Sequence, residues 1–202
     1  MMAKTVQTMS LLGGHPVLDF VNTVDSRIGT IGPDYLQSYD DLLIWAGRTQ
    51  SIDADTRQRL AIEAAQRPVD AAAALSRAKA LREALYRICC MEVSDRPVEK
   101  ADLDLFDTAL RSALAGRRLA CEDGALEWAW RRREALDHIA DRIAVAACDL
   151  LIESRGERRP IRQCPGRNCG WLFLDTSRGG RRHWCSDRSC GTPARVRKFR
   201  AE

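Results

Sequence analysis

The sequence is poorest in the residues that usually betray chemistry. It has only three histidines in 202 positions and 6% aromatic residues. No Gly-rich phosphate loop, no metalloprotease helix motif and no nucleophile elbow occurs in it. His15 and His138 have no evident catalytic partner in the sequence, so no enzyme is expected. No stretch comes near the 18 or so consecutive apolar residues that span a bilayer. The early apolar stretch Leu11 to Val24 is broken by Gly13, Gly14, His15, Pro16 and Asp19, which excludes a signal h-region as well. The expectation is a soluble, cytoplasmic chain with no membrane partner. No run of aromatics favours stacking on single-stranded nucleic acid.

A near balance of charge conceals an asymmetry. The chain carries 32 Lys and Arg against 28 Asp and Glu. From Arg155 onward there are thirteen basic and four acidic residues, a net +9, whereas the first 154 residues carry a net −5. An acidic body therefore precedes a basic C-terminal segment, and the boundary is drawn at 154/155.

Most of the body reads as helical. Leu36, Tyr39, Leu42, Leu43 and Ala46 recur at helical spacing, and Asp53 can cap a helix reaching about Gln66. Pro68 and Pro97 each precede a further periodic segment. In the second of these, Leu103, Phe106, Leu110 and Leu114 are expected inward, with Gly116 as the stop. Arg117 to Trp130 fits a short hairpin around Asp123-Gly124. A long amphipathic helix is expected from about Trp128 or Arg131 to Ser154. The fold class is thus an α-rich α+β domain, helical with at most a short hairpin, followed by a small finger.

Eight cysteines without an export signal do not read as a disulfide framework. Cys89, Cys90, Cys121 and Cys148 lie in apolar segments and are expected as small core residues. Cys164, Cys169, Cys185 and Cys190 form two pairs, each Cys-x4-Cys, with 15 residues between them. Two such pairs can supply the four thiolates of a closed tetrahedral structural zinc site. Two disulfides and an iron–sulfur centre are the rival readings. Trp171 to Leu174 reads as a strand, and Gly179-Gly180 as the loop of its hairpin. Thr192 is expected to cap a last helix, with Pro193 at its first position. Knuckle, hairpin and helix in this order suggest a treble clef. His183 is expected at the surface and not as a ligand.

Thiolates and one zinc ion together leave the finger at about +7. Val196 and Phe199 are expected to pack on the metal core, turning Arg195, Arg197, Lys198 and Arg200 to solvent. Arg178, Arg181 and Arg182 flank the hairpin loop. Arginine forks in this number suit phosphate oxygens and guanine edges, which points to DNA, with RNA and an acidic protein partner as alternatives. One module makes few phosphate contacts, so a homodimer is expected to be needed.

The chain resembles bacterial proteins that join an ABATE domain to a CGNR zinc finger. In the body the likeness rests on Gly13 to Thr23, Ser38 to Ala46 and Leu81 to Tyr86. In the finger it rests on Cys164-x4-Cys169-Gly-Trp-Leu-Phe173-Leu-Asp175-Thr-Ser177-Arg178, and on Trp184-Cys185-Ser186 with Cys190-Gly191. The resemblance implies a stress-responsive transcription regulator with a sensing N-terminal domain and a DNA-binding treble-clef finger. The eponymous Cys-Gly-Asn-Arg is here Cys190-Gly191-Thr192-Pro193, which removes one arginine, and the usual following Lys is Arg195. For the sensing role, Asp19, Asn22 and Thr23 could line a small polar pocket for an effector. The alternative is that they tie down the N-terminal segment by hydrogen bonds.

Overall fold

Local signals set most of the helix boundaries in the computed structural model, which describes residues 4–94, 97–153 and 156–201. Helix α1, Pro16–Val21, starts where Pro16 supplies a preset φ and the His15 ring accepts from Val17 N–H at 3.2 Å. Helix α2, Tyr39–Arg48, opens on a capping box in which Ser38 and Asp41 satisfy each other's backbone N–H groups. Helix α3, Ala54–Gln66, is capped by Asp53, as expected. Helices α4, Pro68–Cys90, and α5, Lys100–Ala115, follow their prolines, and α5 stops at Gly116.

A two-stranded antiparallel hairpin comes next, β1 (Arg117–Glu122) with β2 (Ala125–Trp130). Asp123 and Gly124 both take positive φ, 51° and 81°, the signature of the turn that matches strand twist. Because this hairpin consumes Trp128 to Trp130, helix α6 begins later than expected and spans His138–Cys148. It runs on into a π-helical turn, Asp149–Glu153. The expected boundary at Ser154 and Arg155 lies outside the described residues. A second, shorter hairpin pairs β3 (Ile161–Gln163) with β4 (Leu172–Leu174). Another π-helical turn, Asp187–Gly191, leads into α7, Thr192–Ala201.

Several expectations are corrected. On α5, Leu103 and Leu114 are exposed, and the buried stripe is Asp102, Phe106 and Ala113. The small Ala113 lets the neighbouring helices close in, and the Asp102 carboxylate is held by a two-pronged contact from Arg87 at 2.6 and 2.7 Å. Cys121 is exposed on the hairpin and is no core residue, whereas Cys89 is fully buried. Strand β4 does not pair with a strand beyond Gly179-Gly180. Its partner β3 precedes the first cysteine, so the knuckle forms the end of the hairpin.

Body and finger share one buried cluster, which runs from Phe20, Trp45, Leu85 and Ile143 to Trp171, Leu172, Phe173 and the zinc-site cysteines. The seam is built by polar groups at the end of α1. Asn22 Nδ2 donates to the Leu172 carbonyl at 2.8 Å while its Oδ1 accepts from Leu172 N–H at 2.9 Å. Trp171 Nε1 donates to the Val24 carbonyl, and Leu174 N–H to the Gly13 carbonyl, both at 2.8 Å. From α4, the Tyr86 hydroxyl donates to the Gly170 carbonyl at 3.0 Å. Buried Arg82 spans α4 and the loop after α1, donating to both oxygens of Asp34 (2.7 and 2.8 Å) and to the Thr23 hydroxyl (3.0 Å).

Two outcomes follow from this packing. Asn22→Ala removes both bonds to Leu172 and leaves its buried N–H and carbonyl without their side-chain partner, so chemical denaturation should show a loss of about 2–4 kcal/mol. A loss under about 0.5 kcal/mol, the usual surface value, would mean that the seam carries little stability. Burial alone would raise the Asp34 pKa, but hydrogen bonds from Arg82 and Lys79 pull it down to about 2. A depressed carboxyl stabilises the fold above its unfolded pKa near 4, and that contribution is lost as pH falls toward 2. Asp34→Asn should therefore flatten the acid limb of a stability–pH curve by up to about 2 kcal/mol.

Candidate metal centre and basic surface

The first cysteine pair sits where β3 hands over to β4. Cys164 N–H donates to the Trp171 carbonyl at 2.8 Å, Gly170 N–H to the Cys164 carbonyl at 3.2 Å, and Cys169 N–H to the Gly166 carbonyl at 2.9 Å. Such a tight turn turns both thiols toward one point. The second pair arrives on the π-helical turn, where the Ser186 carbonyl accepts from both Cys190 and Gly191 N–H. Ser186 also caps this turn, its hydroxyl accepting from Ser189 N–H at 3.2 Å. Thr192 is accordingly not the cap but lies in right-handed helical backbone, because the helical path already begins at Asp187. Pro193, without an N–H, follows a wide turn whose bonding already departs from the α pattern.

All four Sγ atoms lie within 4.8 Å of one another. Cys169 and Cys185 sulfurs are 3.6 Å apart, and those of Cys185 and Cys190 are 3.7 Å apart. A tetrahedral zinc–thiolate shell with Zn–S near 2.3 Å spaces its sulfurs by about 3.8 Å, whereas a disulfide needs about 2.05 Å. The cluster fits one structural zinc ion and no disulfide. Gly166 belongs to this fit, since a Cβ there would stand 2.9 Å from Cys190 Sγ. Without a cation the thiols compete for protons: hydrogen bonds from Cys169 and Cys185 draw Cys164 toward thiolate, while the bond to Cys164 pushes Cys169 up to about 12. Zinc removes that conflict by ligating thiolates, and four of them leave no position for a reactive water.

Asp175 organises the loop after β4 and was not singled out as a site residue from sequence. Its buried carboxylate accepts from Ser177 N–H and hydroxyl, from Arg162 Nε at 2.8 Å and from Arg182 N–H at 3.1 Å. The Ser177 bonds lead in holding it down to about 2. It stands in the segment that carries the family resemblance, and its Asp-x-Ser spacing favours an Asx turn.

Seven cations were expected to face a partner, and the structure sorts them. Arg182 is engaged within the protein: it donates to the carbonyls of Leu12, Leu174, Trp184 and Cys185, and its guanidinium lies 4.3 Å from the centroid of the Phe173 ring. Arg195 forms a two-pronged pair with Asp187 at 2.9 and 2.7 Å, holding α7 to the turn before it. Arg178 and Arg181 are exposed on the loop, and Arg197, Lys198 and Arg200 are exposed on α7. A shallow cavity of about 400 Å³ between Arg181, His183, Trp184 and Arg195 joins loop to helix. His183 is exposed and packs edge-on against Trp184.

Val196 and Phe199 do not pack on the metal core. They are 43% and 81% exposed, because α7 meets the rest of the finger through its N-terminal turn. The three residues of the expected polar pocket do not line one cavity together, although Asp19 lines one of about 310 Å³ with His15 and Arg48. Asn22 and Thr23 are fully buried and hydrogen-bonded, Asn22 to Leu172 and the Thr23 hydroxyl to the Phe20 carbonyl at 2.8 Å. Asp19 accepts from Gly13 N–H at 2.8 Å, and burial raises its carboxyl to about 6.

Residues 14–154 match the family model ABATE, described as "Putative stress-induced transcription regulator", and residues 160–202 match that of the CGNR zinc finger. No curated protein matches the chain. Metal analysis of the purified protein should return one zinc per chain, and Cys169→Ser should lower that occupancy. Because the cysteines belong to the shared core, chelation should also abolish amide protection in β4, read by hydrogen exchange.

Proposed function

Starting from the premise that the chain belongs to the ABATE family and carries a CGNR zinc finger, we propose that it is a DNA-binding regulator of transcription. In this reading zinc holds the finger, its exposed cations contact phosphates, and the acidic body senses an effector or dimerises. One observation carries it. Arg178, Arg181, Arg197, Lys198 and Arg200 all reach solvent on one zinc-held module, while the body attached to it is net acidic. An acidic body repels phosphate and orients the module with its basic side toward the duplex.

Catalysis is not part of the proposal. The His15 ring caps α1, and buried His138 packs edge-on against Trp130 with no carboxylate bonded to it among the described residues. RNA remains the second reading, favoured by the exposure of Phe199 among the cations of α7. On duplex DNA such a ring can wedge into a base step, and on a single strand it can stack on a base.

Fluorescence anisotropy with genomic duplex fragments, structured RNA and single strands separates the readings. Replacing Arg197, Lys198 and Arg200 together by Ala should weaken duplex binding and reduce the slope of log K against log salt by about 2–3. An unchanged slope would remove α7 from the interface. Phe199→Ala should leave the melting temperature unchanged and cost about 1–3 kcal/mol of affinity if the ring meets bases.

A further inference from the structure

The body contains a second concentration of positive charge, far from the finger in sequence. A cavity of about 390 Å³ lies between the α2–α3 turn and the start of α6, lined by Gln50, Asp53, Thr56, Arg133, His138 and Arg142 among others. That volume is in the range of sites for small molecules.

Three features of its lining point to one ligand chemistry. Arg142 is half-buried and, among the described residues, forms no hydrogen bond or ion pair, although a half-buried guanidinium ordinarily has a partner. Arg133 reaches toward it with only a distant counterion, Asp53 at 3.9 Å. His138 is 2% exposed, yet its Nδ1 has no hydrogen-bond partner. His138 is also the first residue of α6, whose N-terminus has no side-chain cap. Arg142, Arg133 and the His138 ring border one open space at the start of α6.

We propose that this cavity binds a small molecule through an oxyanion, phosphate or carboxylate, gripped by Arg142 and Arg133 beside the His138 ring. The forked guanidinium of Arg142 then acquires the planar or tetrahedral acceptor it lacks. Burial, with Arg142 and Arg133, holds the His138 pKa down to about 4, so the ring enters the complex neutral at pH 7. The groups around it are the cations Arg133 and Arg142 and the acids Asp53 and Glu134. A bound anion would raise that pKa. The site does not depend on the DNA-binding reading, since it can be filled whether or not the finger takes up DNA.

The test uses the full zinc-loaded chain with ¹⁵N-labelled histidine, titrated with inorganic phosphate and, separately, with succinate, at constant ionic strength set by sodium chloride. At least one of the two should shift the His138 ring resonances, raise the His138 pKa and raise the melting temperature. Response to phosphate alone assigns a phosphoryl group, and response to succinate alone assigns a carboxylate. Arg142→Gln should weaken binding by about tenfold or more without lowering the melting temperature of the ligand-free protein, since it removes an unpaired charge. Arg133→Gln, at an exposed position, gives the same reading if the first variant misfolds. A silent His138 with both anions, or binding unchanged in the arginine variant, overturns the proposal.

Discussion

The architecture depends on the way β4 is strapped to the end of α1. Asn22 offers a donor and an acceptor from one planar amide, and Leu172 offers the complementary backbone pair, so the side chain replaces a neighbouring strand. Leu174 N–H reaches the Gly13 carbonyl on the near side, and Trp171 Nε1 reaches Val24 on the far side. Asp19 in turn holds Gly13 by its N–H. Gly13 has to be a glycine here, since a Cβ would stand 2.7 Å from Asp19 N. A two-stranded sheet of three residues a side is marginal by itself in water. With α1 as its third element and zinc at its tip, it becomes part of the core.

That strap explains which polar residues are buried in the body. Arg82, Thr23 and Asp34 form a network that fixes the loop leaving α1, and Arg27 from the same loop donates through its backbone to the Cys169 carbonyl at 2.6 Å. Tyr86 joins it, with the Arg27 guanidinium 4.5 Å from the centroid of its ring and Gln163 bonded to its hydroxyl at 2.8 Å. The body segments on which the family resemblance rests, Gly13 to Thr23 and Leu81 to Tyr86, include the residues that grip the finger. In the polar cluster that looked like a ligand pocket in the sequence, Asn22 is part of an internal seam, because it finds its backbone partner 150 positions away, while Thr23 and Asp19 bond to Phe20 and Gly13 close by.

What could be read from sequence was what is decided locally. Asp53, Pro68 and Gly116 mark helix ends through local backbone preferences and bonds within a few residues, and Asp123-Gly124 marks its turn through positive φ. The four zinc-site cysteines were legible because the site requires two pairs on tight turns. Misplaced residues were those whose environment is set from a distance. Leu103, Leu114, Val196 and Phe199 have helical spacing, but spacing does not say whether another element covers the face. Trp128 to Trp130 could extend a helix or close a hairpin, and the pairing Leu119 with Trp128 decided it. Arg182 and Arg195 counted as surface charge, although carbonyls and Asp187 hold them in place.

The division of the chain by charge is therefore one of composition, since body and finger share one buried cluster. Cys164, Cys169 and Cys185 are buried in the same cluster as Phe20 and Trp45, so zinc binding and body folding draw on the same buried surface. A finger of this size attached by a slack linker would fold or unfold with its metal alone. Here, loosening α1 removes the wall behind β4, and loss of the metal frees the knuckle on which Arg27 and Tyr86 close. Helix α6 packs against α1 and carries His138 and Arg142 at its other contacts. A ligand that tightened the start of α6 would act on a helix adjoining the strap. Any coupling between body and finger would act through how firmly α1 holds β4.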